Sequence, residues 1–328
     1  MQFKRLKVIE SKGFLLAHNL QLNNRLLKKG TKLNTKLINL LIKENILVVY
    51  GFKKNLNDLD ENSAAKKVAS FLASNELYLD KPVNGRADIF SKVSGMLVIK
   101  RNELIKINKN FAEFAICSLK NYSLIKAGQL IGNVKVLPYA VAKNKINRLV
   151  QNKSSKSTFS VKSVKVKKIA LILSIENNSR KILKVTDALE ARLKYFGLSI
   201  NITEKARHNV KNLTDSIKKV IEKDKIDLLL IYGNTSIVDR KDIIPYSIKK
   251  LGGQIISLGL PSDPGNLSLI ANIRNTKIIG VPGCASSPKR NGFDIILERL
   301  CFDININATD LAEIAEGGLF KTMIKKSI

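Results

Sequence analysis

The sequence predicts an α/β protein, with a C-terminal three-layer αβα domain on a mostly parallel sheet preceded by a smaller α+β domain. Three observations predict it. Beyond about residue 165, apolar runs alternate with amphipathic helical stretches in the order βαβαβ, which implies a parallel sheet covered on both faces. Within that pattern, three small-residue loops follow apolar strands, where open α/β sheets bind their ligands. The first half instead mixes short strand-like pieces with glycine turns and two helix candidates.

Taken in order, strand-like pieces fall at 14–17, 46–50, 96–99 and 129–137. A helix over 35–44 sets Leu37, Leu40 and Leu41 on one face, and a second over 63–74 does the same with Ala65, Val68, Ala69 and Leu72. The acids of Asp58-Leu59-Asp60-Glu61 favour the start of that second helix. Segment 143–167 has little periodicity, and 151–158 has none, which reads as a linker. The expected division is therefore a domain over 1–143, a linker over 144–164 and a domain over 165–328. In the second domain a buried strand is expected over 168–174. The helix that follows, 179–196, places Ile182, Val185, Leu189, Leu193 and Phe196 at helical spacing, with Gly197 as its C-terminal cap. A strand over 198–203, a helix over 213–223 and a strand over 227–232 complete the repeat, and another strand, 278–281, follows later.

A chain of 328 residues suits roughly two domains of about 150 residues, and 45% hydrophobic content is ample for their cores. No stretch approaches the roughly 20 apolar residues that span a bilayer, and 14–17 is too short for a signal-peptide core. Cys117, Cys284 and Cys301 are odd in number and lack Cys-x-x-Cys spacing, which points away from disulfides and zinc ribbons and toward a reducing cytoplasm. With only His18 and His208, a multi-histidine metal site is excluded. The formal net charge of +30 comes from lysines spread over the whole chain beside abundant Ile and Asn, with no basic stripe interleaved with aromatics. A solvated basic surface is expected, with no specific nucleic-acid partner and no membrane.

The candidate chemistry lies between 227 and 294. The turn Gly233-Asn234-Thr235-Ser236 leaves an apolar strand, Pro264-Gly265-Asn266 forms a second loop, and Pro282-Gly283-Cys284 leaves another strand. Beyond it, Ser286, Ser287, Lys289, Arg290 and Asn291 concentrate hydrogen-bond donors. Hydroxyls, amides and exposed N–H groups at such turns suit an anionic ligand. Asp239 and Asp242 have two readings: capping of the helix that opens near Pro245, or holding Mg2+ beside a phosphate. Cys284 has no histidine near it in sequence and reads better as a small buried thiol than as a nucleophile.

These segments resemble the molybdopterin-binding domain shared by molybdopterin adenylyltransferases and molybdopterin molybdenumtransferases. Gly233-Asn234-Thr235-Ser236-Ile237-Val238-Asp239 looks like that family's first glycine-rich loop, and Arg240-Lys241-Asp242-Ile243-Ile244-Pro245 is similar to its Arg-Asp-x-Thr-Pro element with one residue inserted. Pro264-Gly265-Asn266 and Val281-Pro282-Gly283-Cys284 resemble its Pro-Gly-Asn and Leu-Pro-Gly-Asn-Pro loops. The likeness spans about residues 165–320. Upstream, 13–20, Lys29-Gly30-Thr31-Lys32-Leu33 and 46–49 look like the flanking domain of the molybdenumtransferases, as in a two-domain bacterial subgroup. Three positions depart from the pattern. Asn234 replaces a glycine, Cys284 replaces an asparagine, and Ser174-Ile175-Glu176-Asn177-Asn178 stands where the molybdenumtransferases carry Thr-Gly-Asp-Glu.

The resemblance implies a cytoplasmic, homo-oligomeric transferase of molybdenum-cofactor biosynthesis, acting near the molybdate-insertion step. Its substrates would be molybdopterin or adenylylated molybdopterin and molybdate, with Mg2+ as cofactor. The four loops and Ser174 would touch the substrate, Asp239 and Asp242 would be catalytic, and Asp239 would hold the metal. A second expectation is a non-catalytic carrier or specificity subunit. Many of that subgroup bear an additional C-terminal nucleotidyltransferase, and this chain stops at Ile328 without one. Its partner would then be a separate cofactor cytidylyltransferase or a client molybdoenzyme. A basic nucleic-acid-binding protein is the third.

Overall fold

The computed structural model describes residues 1–176, 179–223 and 225–320, so Asn177 and Asn178 of the segment after the first expected strand lie outside the described residues. The chain forms two compact units, Met1–Ser163 and Val164–Ile328. It is a mixed α/β protein with a mostly parallel six-stranded sheet in its C-terminal unit.

That unit runs β1 (Ile169–Ser174), α1 (Ser179–Lys194), β2 (Ile202–Lys205), α2 (Val210–Lys223), β3 (Leu228–Gly233) and α3 (Ile243–Lys250). It continues with β4 (Gln254–Leu258), β5 (Leu269–Ile273), β6 (Thr276–Val281) and α4 (Gly292–Cys301). The strand order is β2-β1-β3-β6-β5-β4. The first four are parallel, and β5 runs antiparallel to both of its neighbours. Every residue of β1 and β3 is buried, as their unbroken apolar runs require of strands covered on both faces. One layer of the core joins Ile172, Leu229 and Ile231 of the sheet to Leu213, Ile217, Ile244 and Ile248 of α2 and α3.

Two boundaries of this unit differ from expectation by three residues or more. The strand read at 198–203 pairs only from Ile202, because Asn201 ties the preceding turn to the start of β1 through its side-chain oxygen on the Ile169 N–H. Helix α2 starts at Val210, three residues early, because Asn209 accepts the Asn212 N–H and opens it.

In the N-terminal unit, strands Gln2–Lys7, Val48–Lys53 and Leu15–Leu16 form one antiparallel sheet. Helix Glu61–Leu72 is capped by Asp60, which accepts the Ser63 N–H. Its Ala65, Val68 and Leu72 join a core that includes Ile89 and Val134 of a four-stranded sheet. The expected linker over 144–164 is corrected here. Lys143–Gln151 is a helix that buries Ile146 and Leu149, and Phe159–Lys162 is a strand antiparallel to Gly95–Ile99. Two buried residues in a nine-residue helix leave too little apolar repeat to stand out among its charges. A 3-10 turn over Lys153–Ser155 joins them, and 163–168 has no regular structure.

Candidate functional site

In a sheet ordered β2-β1-β3, the chain leaves β1 to one side and crosses back to β3 on the other, so the crevice at the topological switch point lies between β1 and β3. Ser174 and Gly233, the last residues of those strands, are register partners there. The Ser174 side chain is fully buried, and its Oγ lies 3.0 Å from Nδ1 of His208. On the other side of the ring, Nε2 is 3.1 Å from Thr235 Oγ1 in the exposed turn after β3. Burial holds the His208 pKa below its ordinary value, against the raising influence of its Ser174 contact and the Asp242 carboxylate. A neutral ring donates from one nitrogen and accepts at the other, so it links the two hydroxyls in one directed chain. Gly233 leaves room for the ring: a Cβ there would sit 3.2 Å from His208 Cε1 and 2.9 Å from Ile244 Cδ1.

The 238–242 turn is tied by its own carboxylates. Asp242 stands at the N-cap of α3, yet its side chain makes no cap bond there. Its Oδ2 instead accepts the Val238 and Asp239 N–H groups at 2.7 and 2.9 Å. The expected capping role is thus replaced by closure of the loop, because the carboxylate turns back toward amides that precede the helix. Asp239 Oδ1 accepts the Lys241 N–H at 2.7 Å. Lys181, near the start of α1, reaches the Asn234 carbonyl at 3.4 Å and lies 5.6 Å from the Tyr232 ring centroid.

The remaining loops arrive at the same rim. β5 is antiparallel, with Leu269 opposite Gly280 near the end of β6, so the loop carrying Pro264, Gly265 and Asn266 emerges beside the end of β6. Gly265 has φ +120, and a Cβ there would meet the Gly292 nitrogen at 2.5 Å, so only glycine lets this loop seat against α4. The Gly292 N–H also donates to the Pro264 carbonyl at 2.9 Å. Pro282 opens a short 3-10 turn over Gly283–Ser286, where Ser286 Oγ donates to the Gly283 carbonyl. Gly283 faces open space.

Arg192, on α1, holds the next stretch. It pairs with Asp294 at 2.6 Å and donates to the carbonyls of Ala285 and Ser287 at 3.0 and 2.7 Å. Arg290 forms a two-pronged pair with Glu298, and Asn291 caps α4 in a capping box with Asp294. Those two side chains tie the loop together, Ser287 is half-buried with its Oγ accepting the Lys289 N–H at 3.3 Å, and the Lys289 side chain is exposed. Burial pushes the Cys284 thiol pKa up, so it stays protonated near neutral pH.

The structure therefore brings all four expected loop segments, with Ser174, onto one rim. Sequence reasoning missed His208, Lys181 and Arg192. His208 follows β2 at the same edge, so the strand-end rule, applied to that loop as well, would have found it. Among the described residues, no group of three His, Cys, Asp or Glu side chains is placed to hold a metal ion. No helix among them is long and apolar enough to cross a membrane.

No family model matches the chain, and no curated protein matches it. Among solved structures it is similar to the molybdopterin biosynthesis MoeA protein from Pyrococcus horikosii. That match has 11% identity and a TM-score of 0.31, and covers 92% of this chain and 75% of that one. A likeness this loose assigns neither fold nor activity.

Proposed function

We propose that the rim binds molybdopterin or adenylylated molybdopterin, and that the chain works in molybdenum-cofactor biosynthesis at the molybdate-insertion step. One observation carries this reading. The separate segments that resemble the family's motifs, 233–239, 264–266 and 281–291, converge on one edge of the sheet around the β1/β3 switch point.

Thr235, Ser236 and the backbone of the 233–236 turn supply neutral donors for a phosphate, with Lys181 adding positive charge behind them. The open Gly283 turn, Ser287 and Lys289 form the facing wall for the pterin. The relay keeps Thr235 oriented, since the half-buried ring fixes its hydroxyl from behind. The donor set fits Mg2+ in its usual setting of one or two carboxylates with phosphate oxygens and water. Asp239 Oδ2 and Asp242 Oδ1 make no hydrogen bond among the described residues and face no competing ion pair. When bound, the ion would neutralise charge on a phosphoanhydride as it is cleaved.

The carrier reading is favoured by a different observation: both carboxylates already tie the loop's own amides, a positioning role that needs no turnover. Calorimetry of the full chain with molybdopterin and its adenylylated form tests binding. Micromolar or tighter affinity is expected, and no heat with no thermal shift overturns the proposal. Release of AMP from the adenylylated form with molybdate and Mg2+ then separates an enzyme from a carrier.

A further inference from the structure

The N-terminal unit contains a cavity of about 700 Å³ whose polar wall is built from Lys28, Lys29, Lys54, Asn19, Asn62 and Asn84. That volume lies in the range of small-molecule sites, roughly 300–1,000 Å³. The carboxylates of this wall are already engaged, and several of its donors are not. Asp60 is committed to its helix cap, with Oδ1 on the Ser63 N–H and Oδ2 on the Ser63 hydroxyl. Both Glu61 oxygens hold Lys29 Nζ, at 3.0 and 3.1 Å, and that ammonium sits 4.3 Å from the Tyr139 ring centroid.

The Asn19 and Asn62 side chains are held in place through their oxygens, which accept the Lys29 and Gly85 N–H groups at 2.8 and 2.7 Å. Their NH2 groups donate to nothing among the described residues. Lys28 and Lys54 are exposed and form no ion pair among the described residues, although Lys54 acts through space on Asp58 and Asp60. An excess of uncommitted donors over free carboxylates selects an anion rich in acceptor oxygens. One side of the cavity is apolar, where Phe52 stacks on Tyr139 at 4.4 Å beside Leu15.

We propose that this cavity is a second ligand site, for a small phosphorylated molecule of the nucleoside mono- or diphosphate class. Lys28 and Lys54 flank the phosphate as point charges, a role lysine commonly fills. The amides of Asn19 and Asn62 donate to ester or sugar oxygens, and the uncharged body of the ligand lies along Phe52 and Tyr139. The site stands on N-terminal residues alone and does not depend on the reading of the C-terminal rim.

Titration calorimetry of the full chain with AMP and ADP tests it, with the oligonucleotide (dT)10 as a polyanion control. Both nucleotides are expected to bind. The double variant K28A/K54A, at two exposed positions, should weaken that binding at least tenfold with an unchanged melting curve. Absence of heat with both nucleotides overturns the proposal, and so does equal affinity in K28A/K54A. Binding of (dT)10 alone also overturns it, in favour of a diffuse basic surface.

Discussion

Replacing Arg192 with methionine removes the clamp between α1 and the rim loop while keeping an apolar stem of similar length. In the native structure the guanidinium bonds Asp294 at 2.6 Å and the carbonyls of Ala188, Ala285 and Ser287 at 2.8, 3.0 and 2.7 Å. The Arg192 and Asp294 side chains are only 9% and 11% exposed, so the pair is nearly dry. Breaking a buried pair by removing one partner costs about 3–5 kcal/mol, because the remaining charge stays desolvated. Asp294 keeps one partner, the Asn291 N–H at 2.7 Å, which places the expected loss near the lower end, about 3 kcal/mol. For a unit of this size that corresponds to a melting temperature lower by about 6–12 °C. Urea denaturation followed by hydrogen exchange of peptides over 283–301 reads the effect where it arises. Exchange should accelerate first in the 285–289 stretch. Arg192→Lys should fall between, since one ammonium cannot serve a carboxylate and separate carbonyls at once. A methionine variant within about 0.5 kcal/mol of the parent, the range of ordinary surface changes, would refute the view that this pair holds the rim together.

At the carboxylate turn, Asp242→Asn should cost about 1 kcal/mol of stability by urea denaturation, since it weakens two charge-assisted bonds on a partly exposed loop. Asp239→Asn should melt normally and lose Mg2+-dependent ligand binding, and the opposite pattern would assign the metal to Asp242. For His208 the folded pKa is lowered, so below about pH 6.5, its ordinary unfolded value, the unfolded chain binds more protons. Stability is therefore full above that pH and declines as pH falls below it, and His208→Gln should flatten that part of a melting-temperature profile. Thiol labelling should go fast at exposed Cys117 and slowly at Cys284. At Cys301, where burial pushes the pKa to about 12, it should proceed only on unfolding. Limited proteolysis should spare the helix Lys143–Gln151 and the paired strand Phe159–Lys162 and cut within 163–168, which has no regular structure.

Which elements the sequence announces depends on how much of each is buried. β1 and β3 are apolar along their whole length because both faces are covered, and their ends were legible to within a residue. β2 is an edge strand reading Ile-Thr-Glu-Lys, half exposed, and its weak pattern let the expected strand start four residues too early. The Lys143–Gln151 helix and the Phe159–Lys162 strand each bury only two residues, so beside Ser and Lys they read as a linker. Their fold is decided by partners far away in sequence, Gly95–Ile99 for the strand, and no local period records that.

The rim loops were legible for a stronger reason, since they sit at strand ends, and a parallel sheet carries the ends of its parallel strands to one edge whatever the loops contain. The identity of the donors was legible too, but not which of them the protein keeps for itself. Arg290 and Asn291 read as ligand donors, and the fold consumes both, through Glu298 eight residues on and Asp294 three residues on. The second of these was open to reading, because Asn-x-x-Asp ahead of an apolar run is close to a capping-box spacing. His208 carries the opposite lesson. It lacks a small-residue loop around it, yet its ring joins Ser174 to Thr235 because the crossover from β2 to β3 passes the end of β1 there. A rule built on strand ends would have named it where a rule built on loop composition did not. The N-terminal cavity lies beyond either rule. Its wall is assembled from separate turns spread between Leu15 and Tyr139, each unremarkable alone, and its donor excess exists only once Glu61 has taken Lys29 and Asp60 has capped its helix.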